Sequence, residues 1–221
     1  MKQLLLSVLL FFICYNCYSQ NPLIINGKVD GKSEVKVFLY NWTGGKPVKL
    51  DSIISSGGVF NFNKIVQSLS VYLLSVGRSS IPVFLFPETE PMKVTLKVDP
   101  STGRLTEYKV SAGKVQFAYN AYTQAYQNLN NDYQKLIEDY DKARGEKNEA
   151  TMKSQNEKMI AKEKEMSDLE LKMIDDNPDN MLSLFFICNK YQKTDPGTAK
   201  AKLAKVNSHL QSSELYKHLN K

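Results

Sequence analysis

The chain has 221 residues, 42% of them hydrophobic and 24% charged, with a formal net charge of +6. That apolar share excludes a disordered polymer, and three cysteines are too few for a disulfide-built scaffold. The length suits one or two domains with a true hydrophobic core.

The first residues read as an export signal. Lys2 supplies a short positive region, and "LLLSVLLFFI" over 4–13 is apolar apart from Ser7. The run is far shorter than the ~20 residues that cross a bilayer. It matches the hydrophobic region of a signal peptide. Cys17 and Ser19 then stand as small residues at −3 and −1, which predicts cleavage between Ser19 and Gln20. Residues 1–19 are therefore expected to be a signal peptide, and the rest an exported periplasmic or cell-envelope protein. Cys14-Tyr15-Asn16-Cys17 is a literal C-x-x-C. A redox pair of that spacing sits at an exposed helix N-terminus after a strand, where the helix dipole lowers the thiol pKa. Here the two cysteines end a signal and leave with it. Lipid anchoring through Cys17 or Cys14 fits less well, because Asn16 and Ile13 precede them where a small residue is wanted.

From residue 20 to 111 the pattern is that of strands. "LIINGKV" (23–29) runs to a turn at Asp30-Gly31. "EVKVFLY" (34–40) alternates, with Val35, Val37 and Leu39 on one face. "NWTGGKP" (41–47) reads as a loop by its Gly-Gly and Pro. "VKLDSII" (48–54), "VFNFNKI" (59–65), "SVYLLSV" (70–76), "IPVFLFP" (81–87), "MKVTLKV" (92–98) and "RLTEYKV" (104–110) follow. The more continuously apolar 70–76 and 81–87 read as central strands. About eight short strands at this spacing predict an antiparallel β-sandwich or open barrel.

The period changes near Ala112. Val115, Ala118, Tyr122, Ala125, Leu129, Tyr133, Leu136, Tyr140 and Ala143 recur every three or four residues, which predicts a helix of about 30 residues. Arg144-Gly145-Glu146 ends it. A second helix is expected over 147–176, stopped by Asn177-Pro178. Met152, Met159, Met166 and Met173 recur every seven residues along it, so the two should form a long antiparallel hairpin (112–177) with a coiled-coil-like methionine seam. Short helices should close the chain over 178–221: "NMLSLFFICNKY" (180–191), one opened by Asp195-Pro196 and running to about Val206, and "ELYKHLNK" after Ser212 or Ser213. The fold class is α+β.

Little in this sequence carries chemistry. His209 and His218 lie nine apart with no ligand partners, so no metal site is expected. No nucleophile elbow, phosphate loop or dinucleotide glycine pattern occurs, so no cofactor is expected either. Cys188, alone in the mature chain and set in "LSLFFICNKY", reads as a buried small hydrophobe. Carboxylate pairs such as Glu163/Glu165 and Asp175/Asp176 read as a solvated helix face. The basic excess is scattered lysine, with arginine only at 78, 104 and 144, which argues against nucleic acid. The candidate contact residues are therefore aromatic and thioether side chains. Trp42 in its glycine-bearing loop reads either as a cap on the sandwich or as a platform for a glycan or peptide. Tyr122, Tyr126, Tyr133, Met159 and Met166 lie on the hairpin, where a Met-rich face can repack for a partner or for self-association.

The order of parts carries a resemblance. "INGKVDG", "VKVFLYNWTGGKPVKLDSIISSGGVFNFNKIV", "PVFLFPETEPMKVTLKVD", the tyrosine-rich and charged helices, and "SSELYKHL" occur in sequence. Together they resemble the uncharacterised β-rich module that precedes a thioredoxin-like domain in secreted bacterial thiol-disulfide oxidoreductases and AhpC/TSA-type proteins. The resemblance implies a redox setting. The family's thioredoxin-like domain has no counterpart before Lys221, so no catalytic residue is carried over. The reading is a non-catalytic secreted module for partner or ligand binding. The alternative is an accessory subunit of a periplasmic thiol-disulfide system whose redox domain is on another chain, with a thioredoxin-like protein as its partner.

Overall fold

A computed structural model describes residues 20–67, 69–77 and 79–221. The proposed signal, with Cys14 and Cys17, lies outside the described residues. The chain divides into two compact units: residues up to Gly113 together with Ser212–Leu215, and Lys114–Gln211 together with Tyr216–Lys221.

The first unit holds eight strands: β1 (Gln20–Asp30), β2 (Lys36–Trp42), β3 (Val48–Ile54), β4 (Val59–Gln67), β5 (Val71–Val76), β6 (Val83–Leu85), β7 (Met92–Val98) and β8 (Leu105–Ser111). They form two four-stranded sheets, ordered β4-β1-β7-β8 and β3-β2-β5-β6, and neither sheet closes into a barrel. One core lies between them. The alternating residues Leu23, Ile25 and Val29 of β1, Phe60 and Phe62 of β4, and Met92, Val94, Leu96 and Val98 of β7 enter it from the first sheet. Val37, Leu39, Tyr72, Leu74, Val76, Val83 and Leu85 enter it from the second. Two expectations change. One pair is parallel: β1 runs antiparallel to β4 but parallel to β7, from Ile25 beside Met92 to Asp30 beside Lys97. The second change is at β6, which has only three residues and lies at a sheet edge, not in its centre. Pro82 and Pro87 flank it, and proline cannot donate to a ladder.

The turn between β3 and β4 is pinned. Ser55 is buried, and its hydroxyl accepts from Val35 N at 2.9 Å and donates to Ser33 O at 2.9 Å. Gly58 N donates to Ser33 O, and Val29 N donates to Gly58 O. Gly57 and Gly58 have φ of +58° and +77°, a region that costs residues with a Cβ.

The second unit begins with α1 (Lys114–Gly145) and α2 (Glu149–Asp175). At 1.5 Å per residue α1 is about 48 Å long. Asn148 caps α2 by accepting from Thr151 N at 3.1 Å. Tyr133 meets Glu163 while Tyr122, earlier in α1, lies within electrostatic reach of Glu170, later in α2, so the helices run antiparallel. The predicted stripe from Val115 to Tyr140 is half-buried throughout, and only Gln116, Tyr119 and Ala143 of α1 are buried outright. The seven-residue methionine series behaves alike. Met152, Met159 and Met166 are half-buried, and only Met173 is buried. α3 (Met181–Tyr191), capped by Asn180, buries every residue from Met181 to Cys188. α4 (Pro196–Leu203) follows Asp195, whose carboxylate accepts from Thr198 N. It ends three residues before the expected Val206. A 3-10 turn (Ser208–Ser212) and α5 (Glu214–Leu219) complete the chain.

Candidate functional site

The groups with the most reactive potential are held inert. Burial pushes the Cys188 thiol up to about 11, against a smaller opposing effect of Lys193. Its Sγ donates to Gln192 Oε1 at 2.9 Å, and the Gln192 amide in turn meets His218 Nε2. A thiol so placed is protonated at neutral pH and is a poor nucleophile. Among the described residues no group of three or more His, Cys, Asp or Glu side chains is arranged to hold a metal ion.

The residues singled out on the hairpin fall into separate environments. Tyr122 lies 5.7 Å from Tyr126 and 4.5 Å, edge-on, from Phe186, centroid to centroid. Tyr119 and Phe185 join the same aromatic cluster. Burial, with Glu170 second, raises the Tyr122 hydroxyl far above its ordinary value. Tyr133 is further along, where its hydroxyl donates to Glu163 Oε1 at 2.6 Å, a bond that raises its pKa. Met166 is half-buried between these two contacts, and Met159, also half-buried, lies beyond Glu163 towards the hairpin turn. A groove of about 430 Å³ between the two helices is lined by Asp132, Lys135, Leu136, Lys158, Ala161, Lys162 and Glu165. Its charges largely satisfy one another through Asp132 with Lys135 and Lys162, and Lys162 with Glu165. Trp42 belongs to the other unit. It ends β2, where a loop was expected, is 8% exposed, and meets Phe84 edge-on at 5.8 Å.

Exposed large apolar residues occur on β3 and β4, as they do singly at Ile81, Phe117 and Ile160. Val48, Leu50 and Ile54 are 57%, 42% and 60% exposed on β3, and Val59 and Ile65 are 50% and 74% exposed on β4. These strands are the outermost members of their respective sheets and follow each other through the pinned turn. Their outer backbone groups are not taken up by another strand among the described residues. An ion pair, Asp51 to Lys64 at 2.7 Å, ties β3 to β4, and it is the main cause of the lowered Asp51 pKa, ahead of the Ser52 N–H. Beside it, β2 presents Phe38 with the ammonium groups of Lys36 and Lys49 at 5.3 and 5.2 Å from the ring centroid. Phe38 and Tyr40, 6.2 Å apart, are half-buried on this face.

The sequence reading missed this surface. A signal was present: Val48 and Leu50 share one alternation parity while Ile53 and Ile54 occupy both, and Val59, Phe60, Ile65 and Val66 do likewise. Strands with apolar residues on both parities have one set left over when only one face meets a core. A bulge at Leu39/Tyr40 accommodates the break in β3.

The first unit is thus an open two-sheet β-domain, and the second is a helical unit built on a long hairpin. Residues 23–119 match the family described as a domain of unknown function (DUF4369). The match takes in β1 from Leu23 through β8 and ends at Tyr119, inside α1. Neither the curated proteins nor the solved structures contain a match to this chain.

Proposed function

We propose that this chain is a non-catalytic exported module that binds a protein partner through the β3–β4 side of its β-domain. The observation that carries the reading is the exposure of five aliphatic residues on the two edge strands joined by the pinned turn, Ile54 on the Phe38 face of one sheet and Val59 and Ile65 on the outer face of the other. An open apolar edge invites pairing with another chain, and natural proteins normally blunt or cover it. Strand addition to such an edge is a recurrent way of recognising extended peptides. The inert Cys188 and the self-satisfied hairpin charges support binding over catalysis. Export rests on the sequence of residues 1–19. The hairpin remains a second contact surface only through its half-buried tyrosines and methionines.

The test is capture from the native cell envelope with the full chain, compared with Ile54→Lys and Ile65→Lys variants that keep wild-type Trp42 fluorescence. The reading expects the same specific proteins to be lost in the edge variants. Equal recovery by all three would remove it. The sequence resemblance makes a thioredoxin-like protein the favoured partner class. A capture set without one, together with no change in the reduction rate of such a protein in a mixed assay, would remove that part.

A further inference from the structure

The surroundings of β3 are basic and under-compensated. Lys36, Lys46 and Lys49 are exposed, and among the described residues none of them lies in an ion pair within 4 Å. Lys36 and Lys49 both lean on the Phe38 ring, so two like charges share one small area of the sheet. The only carboxylates in the sequence between Asp30 and Glu88 are Glu34, which is exposed and makes no ion pair among the described residues, and Asp51. Asp51 is engaged by Lys64, with Lys49 a lesser influence on its pKa. Lys49 and Ile54 pair across the ladder with Tyr40 and Lys36. Opposite residues share a face, so a strand added to β3 meets one cation and one aliphatic side chain on the Phe38 side. The other edges differ. β4 offers Asn61 and Asn63 between its aliphatic residues, β8 offers Glu107 and Lys109 together, and β6 is too short.

We propose that the open edge of β3 takes up an extended acidic peptide as an added strand, with a carboxylate seated over the Lys36–Phe38–Lys49 cluster. This rests on the partner-binding reading above and names the chemistry of the partner. Backbone pairing at the edge supplies affinity without sequence dependence, and the alternate side chains supply selectivity. Lysines on an edge otherwise act to repel a neighbouring strand. Here they would select an acidic one and reject a basic one.

The probes are three: a short peptide alternating valine and glutamate, the same peptide with lysine for glutamate, and a sulfated polysaccharide. Each is titrated onto the full chain, with binding read by anisotropy and by amide hydrogen exchange over 48–54. The glutamate peptide should bind, protect those amides, and weaken as salt rises. The pair Lys36→Glu and Lys49→Glu together should weaken it about tenfold or more, since two exposed attractions to the glutamates become repulsions. Lys109→Glu on β8 should leave binding unchanged. Any of four results overturns the proposal: no binding of the glutamate peptide, equal binding of the lysine peptide, no effect of the double charge reversal, or protection outside β3. Displacement of the peptide by the polysaccharide with no β3 protection by either would assign the lysines to a generic polyanion surface and also overturn it. Loss of native partners in Ile54→Lys and Ile65→Lys alongside any of these results would leave the broader partner-binding reading standing.

Discussion

Gly27 is a position where the β-domain has no space for a side chain. It lies in β1, opposite Phe60 on β4 and beside Val94 on β7. A Cβ there would fall inside the Phe60 ring, touching Cζ, Cε1 and Cε2. Phe60 is 1% exposed and stands 5.9 Å from Phe62, so it has no room to step aside. Gly27→Ala therefore forces either backbone shift or ejection of the ring. Overpacking of this kind costs about 1–3 kcal/mol, and losing a buried phenylalanine about 3–5. Alanine returns ~0.5–1 kcal/mol because glycine loses more chain entropy on folding. The net expectation is a loss of about 1–4 kcal/mol. Trp42, the single tryptophan and buried in the same unit, reports it in urea unfolding followed by fluorescence. The stronger form is a double-mutant cycle with Phe60→Ala. Without the ring there is space for the alanine methyl, so the double variant should be no less stable than Phe60→Ala alone. Additive losses, or a neutral Gly27→Ala, would refute the packing account.

Three further outcomes follow from individual contacts. Peptide mapping after alkylation in mildly alkaline buffer should find Cys188 unmodified in the folded chain and rapidly modified in denaturant. Equal rates would contradict its burial and its pKa of about 11. The Asp99 carboxylate accepts from the N–H and hydroxyl of both Ser101 and Thr102, which lowers its pKa from 3.8 to about 2. A depressed folded pKa stabilises above the unfolded value and is lost as pH falls towards the folded one. The stability difference between wild type and Asp99→Ala should thus be constant from neutral pH down to about 4 and shrink from there to about 2. A constant difference across that window would count against the turn. Finally, Lys190 is 17% exposed and bonds both Glu170, at 2.7 Å, and Ser167. Glu170→Ala leaves that largely buried ammonium without its counter-charge, with the Ser167 hydroxyl still accepting from it. It should cost about 1–2 kcal/mol by denaturant melts, between the surface and buried limits. A charge-neutral Glu170→Gln variant should recover part of the loss.

Legibility from sequence tracked how completely an element is buried. Strand β7 alternates cleanly because one face meets the core and the other water, and its period declared it. α3 could be recognised as an inner helix because every residue from Met181 to Cys188 is apolar or small. The parallel β1–β7 pairing was not legible, since it joins segments about 60 residues apart through contacts that leave no local period. The place of Trp42 was misjudged because Asn41 and Trp42 continue the β2 ladder into a stretch whose Gly44-Gly45 marks a loop. The helical candidates were found as a stripe, but the stripe says only which face is inward. It did not reveal that Tyr133 is engaged by Glu163 or that Val48, Leu50, Ile54, Val59 and Ile65 are exposed on edge strands. Edge position depends on strand order, and strand order is tertiary.

Partner binding at the β3–β4 side is the point on which the proposed function rests. Site-specific photo-crosslinking in the native cell tests it most directly, with the probe placed in turn at Ile54, Ile65, Lys109 and Ile160. The account predicts discrete adducts of a common partner at Ile54 and Ile65 and none at Lys109 on β8 or at Ile160 on α2. Adducts confined to Ile160, or absent from both edge positions, would contradict it.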